Sequence, residues 1–509
     1  MESPYIELQH ITKRFGSVLA NDGVDLTVRR GEILALFGEN GSGKTTLVNM
    51  LSGIYTPDSG SIVINGEKKV FRSPGDAIDA GIGMVHQHFK LIPVMTAAEN
   101  ITLGEKSNVP AAFAFVNQRE IDRKISTIEE RFGISVEHRK KVYELSVSEK
   151  QTVEILKVLY RGARALIFDE ATAVLTPQET ARLFSMMWKM KDEGCAIIII
   201  THKLHEVMEI SDRVTVLRKG RAVKTVNTAE TSPRELTELM VGESVSLEIR
   251  REEPALSEKP LLEVRNLTLA GPEGGNSIDH MSFDLSGGEI LGVAGIAGSG
   301  QKELCEIISG LKTATSGEVR FLGENILGLS PHAIIKRGIA MSFIPEDRLG
   351  MGLAAGMSIA DNVMLKSYHA KAGLIIDRGA GKNQAEAIVS RYDISTPSVQ
   401  HVVKKLSGGN IQKVLLGREI ELRPKILIAA YPVRGLDINA SYGIYDTLNG
   451  QKQRGVGVLF IGEDLDVLRE LCDRVMVIHN GAVMGIVNPR FATKEDIGLL
   501  MMGHLEKTA

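Results

Sequence analysis

The sequence predicts an α/β chain built from two tandem phosphate-loop domains, each with a helical insertion, and three observations predict it. Gly38-Glu39-Asn40-Gly41-Ser42-Gly43-Lys44-Thr45 is a complete phosphate-binding loop, preceded by the apolar stretch Ile33–Phe37 and followed by the helical stretch Thr45–Leu51. Gly295-Ile296-Ala297-Gly298-Ser299-Gly300-Gln301-Lys302 repeats the glycines of that loop without its lysine, and 257 residues separate Gly38 from Gly295 while 261 separate Leu145 from Leu406 and Gly242 from Gly503. The continuous apolar runs Ala165–Phe168 and Ala196–Ile200 suit parallel strands covered on both faces.

The repeat sets the domains at 1–246 and 261–509. Between them the charged run Glu248–Glu253, Pro254 and Pro260 make 247–260 a short polar linker. The step in offset from 257 to 261 places a net four-residue insertion in the second half, between its loop and Leu406. Within the first half, Ile121, Ile125, Ile128 and Phe132 fall at helical spacing, so a helical insertion is expected over roughly 90–160, its stripe packed into a core.

Composition narrows the function classes. The chain has 509 residues, 43% hydrophobic and 24% charged, which suits two globular cores and excludes a largely disordered chain. A net charge of −3 supplies no general basic footprint for nucleic acid. No apolar run reaches the 18 or so residues of a membrane span. The start, Met1–Ile6, lacks the features of a signal peptide, so a cytoplasmic location is expected. Cys195, Cys305 and Cys472 are far apart and read as buried reduced thiols.

The loop residues imply their chemistry. Gly38, Asn40, Gly41, Ser42 and Gly43 let backbone N–H groups close round phosphate oxygens at a helix start. Lys44 reaches the outer phosphates, the Thr45 hydroxyl is placed to ligate Mg²⁺, and Thr46 continues the first turn. A nucleoside triphosphate with Mg²⁺ is the expected ligand pair. Leu166-Ile167-Phe168-Asp169-Glu170 is a buried strand ending in two acids, on the edge of the sheet where ligands bind. Asp169 is assigned to Mg²⁺ and Glu170 to polarising an attacking water. A third strand end carries Ile200-Thr201-His202, where a lone histidine is weak evidence by itself.

Taken in order, the phosphate loop, Gln87, Leu145-Ser146-Val147-Ser148-Glu149, Asp169-Glu170 and His202 resemble the ATPase domain of ABC transporters, and the resemblance covers nearly the whole chain twice. It implies that Gln87 links Mg²⁺ to a permease, that His202 holds the γ-phosphate and that Phe15 stacks on adenine. It also implies that the triphosphate is ATP, and that the signature of one domain, here Leu406-Ser407-Gly408-Gly409-Asn410, closes over ATP held by the other, so that Ser407, Gly408 and Gly409 contact nucleotide.

The second half departs from the pattern at every chemical position. Asp169, Glu170 and His202 map to Ala430, Tyr431 and Glu463, and Lys44 maps to Gln301, with Lys302 one residue late and turned about 100° from the phosphates. In the first half Ser148 stands where Gly409 stands in the second, a side chain expected to hinder phosphate. One hydrolytic site per chain is expected, from the first half's acids and the second half's signature. Glu346 does not align with Gln87 without a gap.

A tandem chain with a degenerate second half resembles the ATPases of nucleoside and monosaccharide importers, and Met84-Val85-His86-Gln87-His88-Phe89 looks more like the nucleoside branch. The partners so implied are two membrane permease subunits and an extracytoplasmic substrate-binding protein. The chain would lie on the cytoplasmic face of the membrane. Two alternatives compete: a soluble tandem ATPase of translation, and a nucleotide sensor without turnover. His138-Arg139-Lys140-Lys141 reads as a solvated loop.

Overall fold

The computed structural model describes residues 4–504 except 17, 87, 88, 105–117, 173, 174, 202, 243–248, 250, 252, 254, 255, 258, 272–274, 338, 367–376 and 437. The chain forms two compact units, Met1–Ser246 and Leu247–Ala509.

The first unit opens with β1 (Ile6–Phe15), β2 (Val18–Val28), β3 (Glu32–Phe37), α1 (Lys44–Leu51), β4 (Ser59–Ile64), β5 (Glu67–Lys69), α2 (Pro74–Asp79) and β6 (Ile82–Val85). Its helical insertion holds α3 (Ala97–Thr102), α4 (Gln118–Phe132) and α5 (Val147–Tyr160). It closes with β7 (Ala165–Asp169), α6 (Pro177–Asp192), β8 (Ala196–Ile200), α7 (Leu204–Ile210), β9 (Arg213–Arg218), β10 (Arg221–Asn227) and α8 (Pro233–Val241).

Two sheets carry this unit. The six-stranded sheet runs β10-β9-β3-β8-β7-β6 and is parallel except for the β9–β10 hairpin. Every residue of β3, β7 and β8 is buried, as strands covered on both faces must be. A second, antiparallel sheet, β2-β1-β4-β5, is an element the apolar runs do not announce. Its strands bury one face only, Ile6 and Leu8 with Val24, Leu26 and Val28. That face packs with Leu47, Val48 and Leu51 of α1 against Leu34, Leu36 and Ile198 of the parallel sheet. The phosphate-loop helix therefore sits between two layers.

Helix starts follow their capping residues. Thr96 and Glu99 form a reciprocal capping box at α3, and Thr176 with Glu179 does the same at α6, where Pro177 occupies the first turn. On α4, Ile125 and Phe132 are buried and Ile121 and Ile128 half-buried, so the stripe faces inward.

The second unit repeats the plan. It begins with β11 (Pro260–Ala270), β12 (Asn276–Ser286), β13 (Ile290–Gly295), α9 (Gln301–Ile308), β14 (Ser316–Phe321), β15 (Glu324–Asn325), α10 (Pro331–Lys336) and β16 (Met341–Ile344). Then come α11 (Ile359–Met364), α12 (Arg378–Arg391), α13 (Gly408–Glu421), β17 (Ile426–Ala430), α14 (Ile438–Gln453) and β18 (Gly457–Ile461). Last are α15 (Leu465–Leu471), β19 (Arg474–His479), β20 (Ala482–Val487) and α16 (Lys494–Met501). Its sheets, β16-β17-β18-β13-β19-β20 and β12-β11-β14-β15, have the first unit's order.

The structure distributes the four-residue insertion. The offset is still 257 at Pro74 and Pro331, becomes 259 at the start of β6 and β16, and reaches 262 at Thr96 and Ser358, the caps of α3 and α11. The middle step falls on a π-turn, Arg348–Gly352, where Asp347 caps the N–H groups of Leu349 and Gly350. One residue is returned within the insertion, since Lys141 and Val402, 261 apart, each bridge back to those caps. Part of the segment read as a linker docks on the second unit: Ile249 packs on its core, and Arg251 donates to the Cys472 carbonyl at 2.9 Å. Cys195, Cys305 and Cys472 are buried free thiols.

Candidate nucleotide and catalytic site

The phosphate loop spans the turn from β3 to α1. Gly43, at φ 101°, sits at the helix N-cap, and a Cβ there would lie 2.3 Å from the Ala20 carbonyl oxygen. Gly38 is equally constrained, 2.3 Å from the Leu217 oxygen. Both positions demand glycine. The loop is held shut by Ser42 N–H donating to Glu39 O at 3.1 Å and Gly220 N–H donating to Ser42 O at 3.0 Å. The Ser42 hydroxyl is buried without a hydrogen-bond partner, and an unsatisfied buried hydroxyl at a helix start fits an anionic oxygen.

Lys44 is 5% exposed, and its ammonium donates to the carbonyls of Gly38 at 2.6 Å and Glu39 at 2.8 Å. Burial lowers its pKa, opposed by the charges of Glu170, Asp169 and Glu39. Lys44 is therefore electrostatically coupled to both acids. Asn40, Gly41 and Thr45 are exposed at the loop and Thr46 is half-buried, which leaves the Thr45 hydroxyl accessible to a metal.

β7 delivers the acids. Asp169 is its last residue, 9% exposed; Glu170 follows at φ 47°, its N–H donating to Ile200 O at 3.0 Å. Burial and the neighbouring Glu170 push Asp169 up to about 6 from 3.8, with Lys44 pulling the other way. A buried carboxylate held so far from its ordinary range suits a cation. Among the described residues no group of three or more His, Cys, Asp and Glu forms a ready-made metal centre. Thr45 and Asp169 fit Mg²⁺ in the manner of sites that share the ion with substrate phosphates.

A test follows from the sign of this shift. Because the folded pKa lies above the unfolded one, the proton on Asp169 favours folding below about pH 3.8, and that contribution is lost as pH rises to about 6. Above that range the ionised group costs on the order of 2 to 3 kcal/mol. Asp169→Asn in metal-free buffer is expected to raise the melting temperature at pH 7.5. Thermal scans should show the gain shrinking as pH approaches 4.

Phe15 is 43% exposed, so it is not a core residue. Its ring meets Tyr55 edge-on at 5.2 Å, in the hairpin whose Ala20 packs on the loop. A partner the sequence did not mark is Gln151 of α5, whose amide donates to Ala171 O at 2.8 Å, just past Glu170. Gln87 and His202 lie outside the described residues.

In the second unit the scaffold persists while the chemistry is replaced. Gly300 keeps φ 104° at the cap of α9. Gln301 is 3% exposed and donates to Ile296 O at 3.1 Å, repeating one of the lysine's bonds without its charge. Lys302 turns to solvent, its side chain 68% exposed and paired with Glu306 at 3.9 Å, as its helical position predicts. Tyr431 keeps φ 48° and donates its N–H to Ile461 O at 2.9 Å, as Glu170 does in its own unit. Burial, Glu463 and Glu346 push its phenol upward.

Strand register settles the place of Glu346. Val85 pairs with Phe168 and Ile344 with Ala429, so Glu346, two residues beyond β16, occupies the chain position of Gln87. Glu463, two beyond β18, occupies that of His202. Arg434 pairs with Glu346 and, at 3.5 Å, with Glu463. Glu346 also lines a cavity of about 340 Å³, together with Gln301, Lys302 and Tyr431.

The two signatures differ in one further respect. At the start of α5, Glu149 accepts from Ser146 N–H at 2.7 Å while the Ser146 hydroxyl accepts from Glu149 N–H at 3.2 Å. A carboxylate thus occupies the helix start that would attract an anion. At α13 the Ser407 hydroxyl makes no cap bond and accepts from the Asn410 amide at 2.8 Å, with Ser407 and Gly408 exposed and Gly409 half-buried. The sequence flags Ser148; the capping box adds Glu149 as the stronger obstacle to phosphate.

The family model described as ABC transporter matches residues 21–173 and 278–433. The chain is 42% identical to the guanosine import ATP-binding protein NupO of Bacillus subtilis, over 99% of this chain and 98% of that protein. It is 41% identical to the glucose import ATP-binding protein TsgD13 of Haloferax volcanii, covering 99% and 97%. It is 40% identical to the nucleoside import ATP-binding protein NupA of Lactococcus lactis subsp. cremoris, covering 98% of each.

Proposed function

The chain belongs to the ABC transporter family, and from that premise we propose that it is the ATP-hydrolysing subunit of an importer for nucleosides. The observation that carries the mechanism is the asymmetry between the units: Lys44, Asp169 and Glu170 in the first, Gln301, Ala430 and Tyr431 in the second. The first unit binds the phosphates through its loop and Lys44. Mg²⁺, held by Thr45, Asp169 and Gln87, would supply neutralising charge to those phosphates. Glu170 takes a proton from water as its oxygen attacks the γ-phosphorus and the bond to ADP breaks. His202 holds the γ-phosphate, Phe15 stacks on the base, and Ser407, Gly408 and Gly409 supply further donors. The second phosphate loop turns nothing over.

Among the described residues no helix is long and apolar enough to cross a membrane. In this proposal the chain lies on the cytoplasmic face and meets two permease subunits, with a substrate-binding protein on the far side. A groove of about 180 Å³ beside β6, lined by His86, Lys90, Glu154 and Lys157, supports a permease contact there, His86 directly preceding Gln87 in sequence.

The nucleoside assignment rests on the Met84–Phe89 segment and on the names of two relatives. The glucose import relative favours a second reading, a monosaccharide importer with the same machinery. Solute uptake in cells carrying the chain and its permease decides between them. Competition by unlabelled nucleosides is expected; competition by pentoses or hexoses alone would leave the ATPase role in place and change the cargo.

A further inference from the structure

Beyond the acids at the strand ends, one buried carboxylate of the first unit has no place in the chemistry described so far. Glu206, on α7, is 1% exposed. One of its oxygens accepts the Thr172 hydroxyl at 2.5 Å and the other accepts the Thr201 hydroxyl at 2.6 Å. Lys203 adds an ion pair at 3.1 Å. Thr172 lies two residues after Glu170, and Thr201 immediately precedes His202 in sequence. A single side chain therefore ties the segment leaving β7 to the segment leaving β8.

The second unit serves as an internal control. Its counterparts at the 261-residue offset are Val433, Gly462 and Val467, so all three members of the bridge are missing together. Val433 and Val467 pack instead against the hydrophobic core. The backbone bond between the same two strand ends survives in both units, from Glu170 to Ile200 and from Tyr431 to Ile461. The fold is thus made with or without the bridge. What accompanies the bridge is the pair Asp169-Glu170, and what accompanies its loss is Ala430-Tyr431.

Burying a carboxylate is costly unless every oxygen is satisfied, and here both oxygens are. Such a satisfied network is rigid, and rigidity has value where a base must stay aligned with a water and a phosphorus. We propose that Glu206 is a positioning residue for hydrolysis, its Thr172 and Thr201 bonds fixing the chain that leaves β7, with Glu170, against the end of β8. The inference rests on the assignment of hydrolysis to the first unit. Glu206 acts through its two threonine partners.

The test uses the full chain with its permease and two variants. Glu206→Gln keeps the size and breaks the double acceptance. The triple change Thr172→Val, Thr201→Gly and Glu206→Val installs the set that the second unit already packs. Both are expected to lower kcat at least about tenfold. The dissociation constant for ATP should stay within about threefold, and the triple variant should melt within about 4 °C of wild type. A triple variant with wild-type kcat overturns the proposal. So does a loss of kcat that comes only together with lost ATP binding and lost stability in both variants. Glu170→Gln run beside them separates the two levels: if it retains wild-type turnover, the assignment of the active unit fails, whatever Glu206 does.

Discussion

Glu170→Gln is expected to lower ATP turnover of the full chain by about 10²- to 10⁴-fold, the range lost with a general base, while ATP still binds. The amide cannot take the proton from water, yet it preserves the shape of the strand end and the backbone N–H bond to Ile200. The matching change in the second unit, Tyr431→Phe, is expected to leave turnover unaltered, because Ala430 and Tyr431 have replaced both acids at that strand end. Steady-state phosphate release on purified chain with permease reads both. Equal losses in the two variants would place chemistry in both units.

Lys44→Ala is expected to weaken ATP binding about 100-fold, roughly 2.7 kcal/mol, and to abolish turnover with it. The ammonium is buried against the loop carbonyls and faces both acids, so its removal leaves two carboxylates beside a phosphate cradle with no fixed cation. Gln301→Ala, at the same loop position of the second unit, removes a neutral hydrogen bond to Ile296 O and should leave turnover within about twofold. Binding of a fluorescent ATP analogue to each variant makes the comparison.

The fold was legible where its signal is local. Glycine spacing marked both phosphate loops because Gly43 and Gly300 need φ near 100° at a helix cap. The strands β7 and β8 were legible because burial on both faces leaves an unbroken apolar run. The antiparallel sheet was not, since register shifts between Leu8 and Ile11, Ile11 and Lys13, and Lys13 and Arg14 break the alternation that marks a strand with one buried face.

Long-range contacts were illegible for a different reason. Nothing local in the sequence tells that Glu206 accepts from a threonine 34 residues away, or that Gln151 reaches Ala171. At the corresponding place in the second unit Gln412 is buried with its amide unpaired, so even the repeat conserves the residue without its bond. Glu346 could not be aligned by counting, because the four-residue insertion is spread over three places; strand pairing placed it at once. Glu149, by contrast, was locally legible, since Ser146-Val147-Ser148-Glu149 has the spacing of a capping box, the bond pair the structure shows.

The second unit keeps the backbone of the first without its acids. Tyr431 retains the left-handed φ of 48° that Glu170 adopts at 47°, a strained conformation for a non-glycine residue that the second unit keeps without the acid. The second unit instead places Arg434 between Glu346 and Glu463, as an exposed ion-pair cluster.

Hydrolysis is expected to belong to the first unit alone. This is tested most directly by trapping nucleotide with orthovanadate during turnover of the full chain with its permease, using a photoreactive ATP analogue, and mapping the label by proteolysis. One trapped nucleotide per chain, with label in residues 1–246 at the loop around Lys44, is the predicted result. Vanadate-dependent label at the loop around Gln301, or two trapped nucleotides per chain, would contradict it.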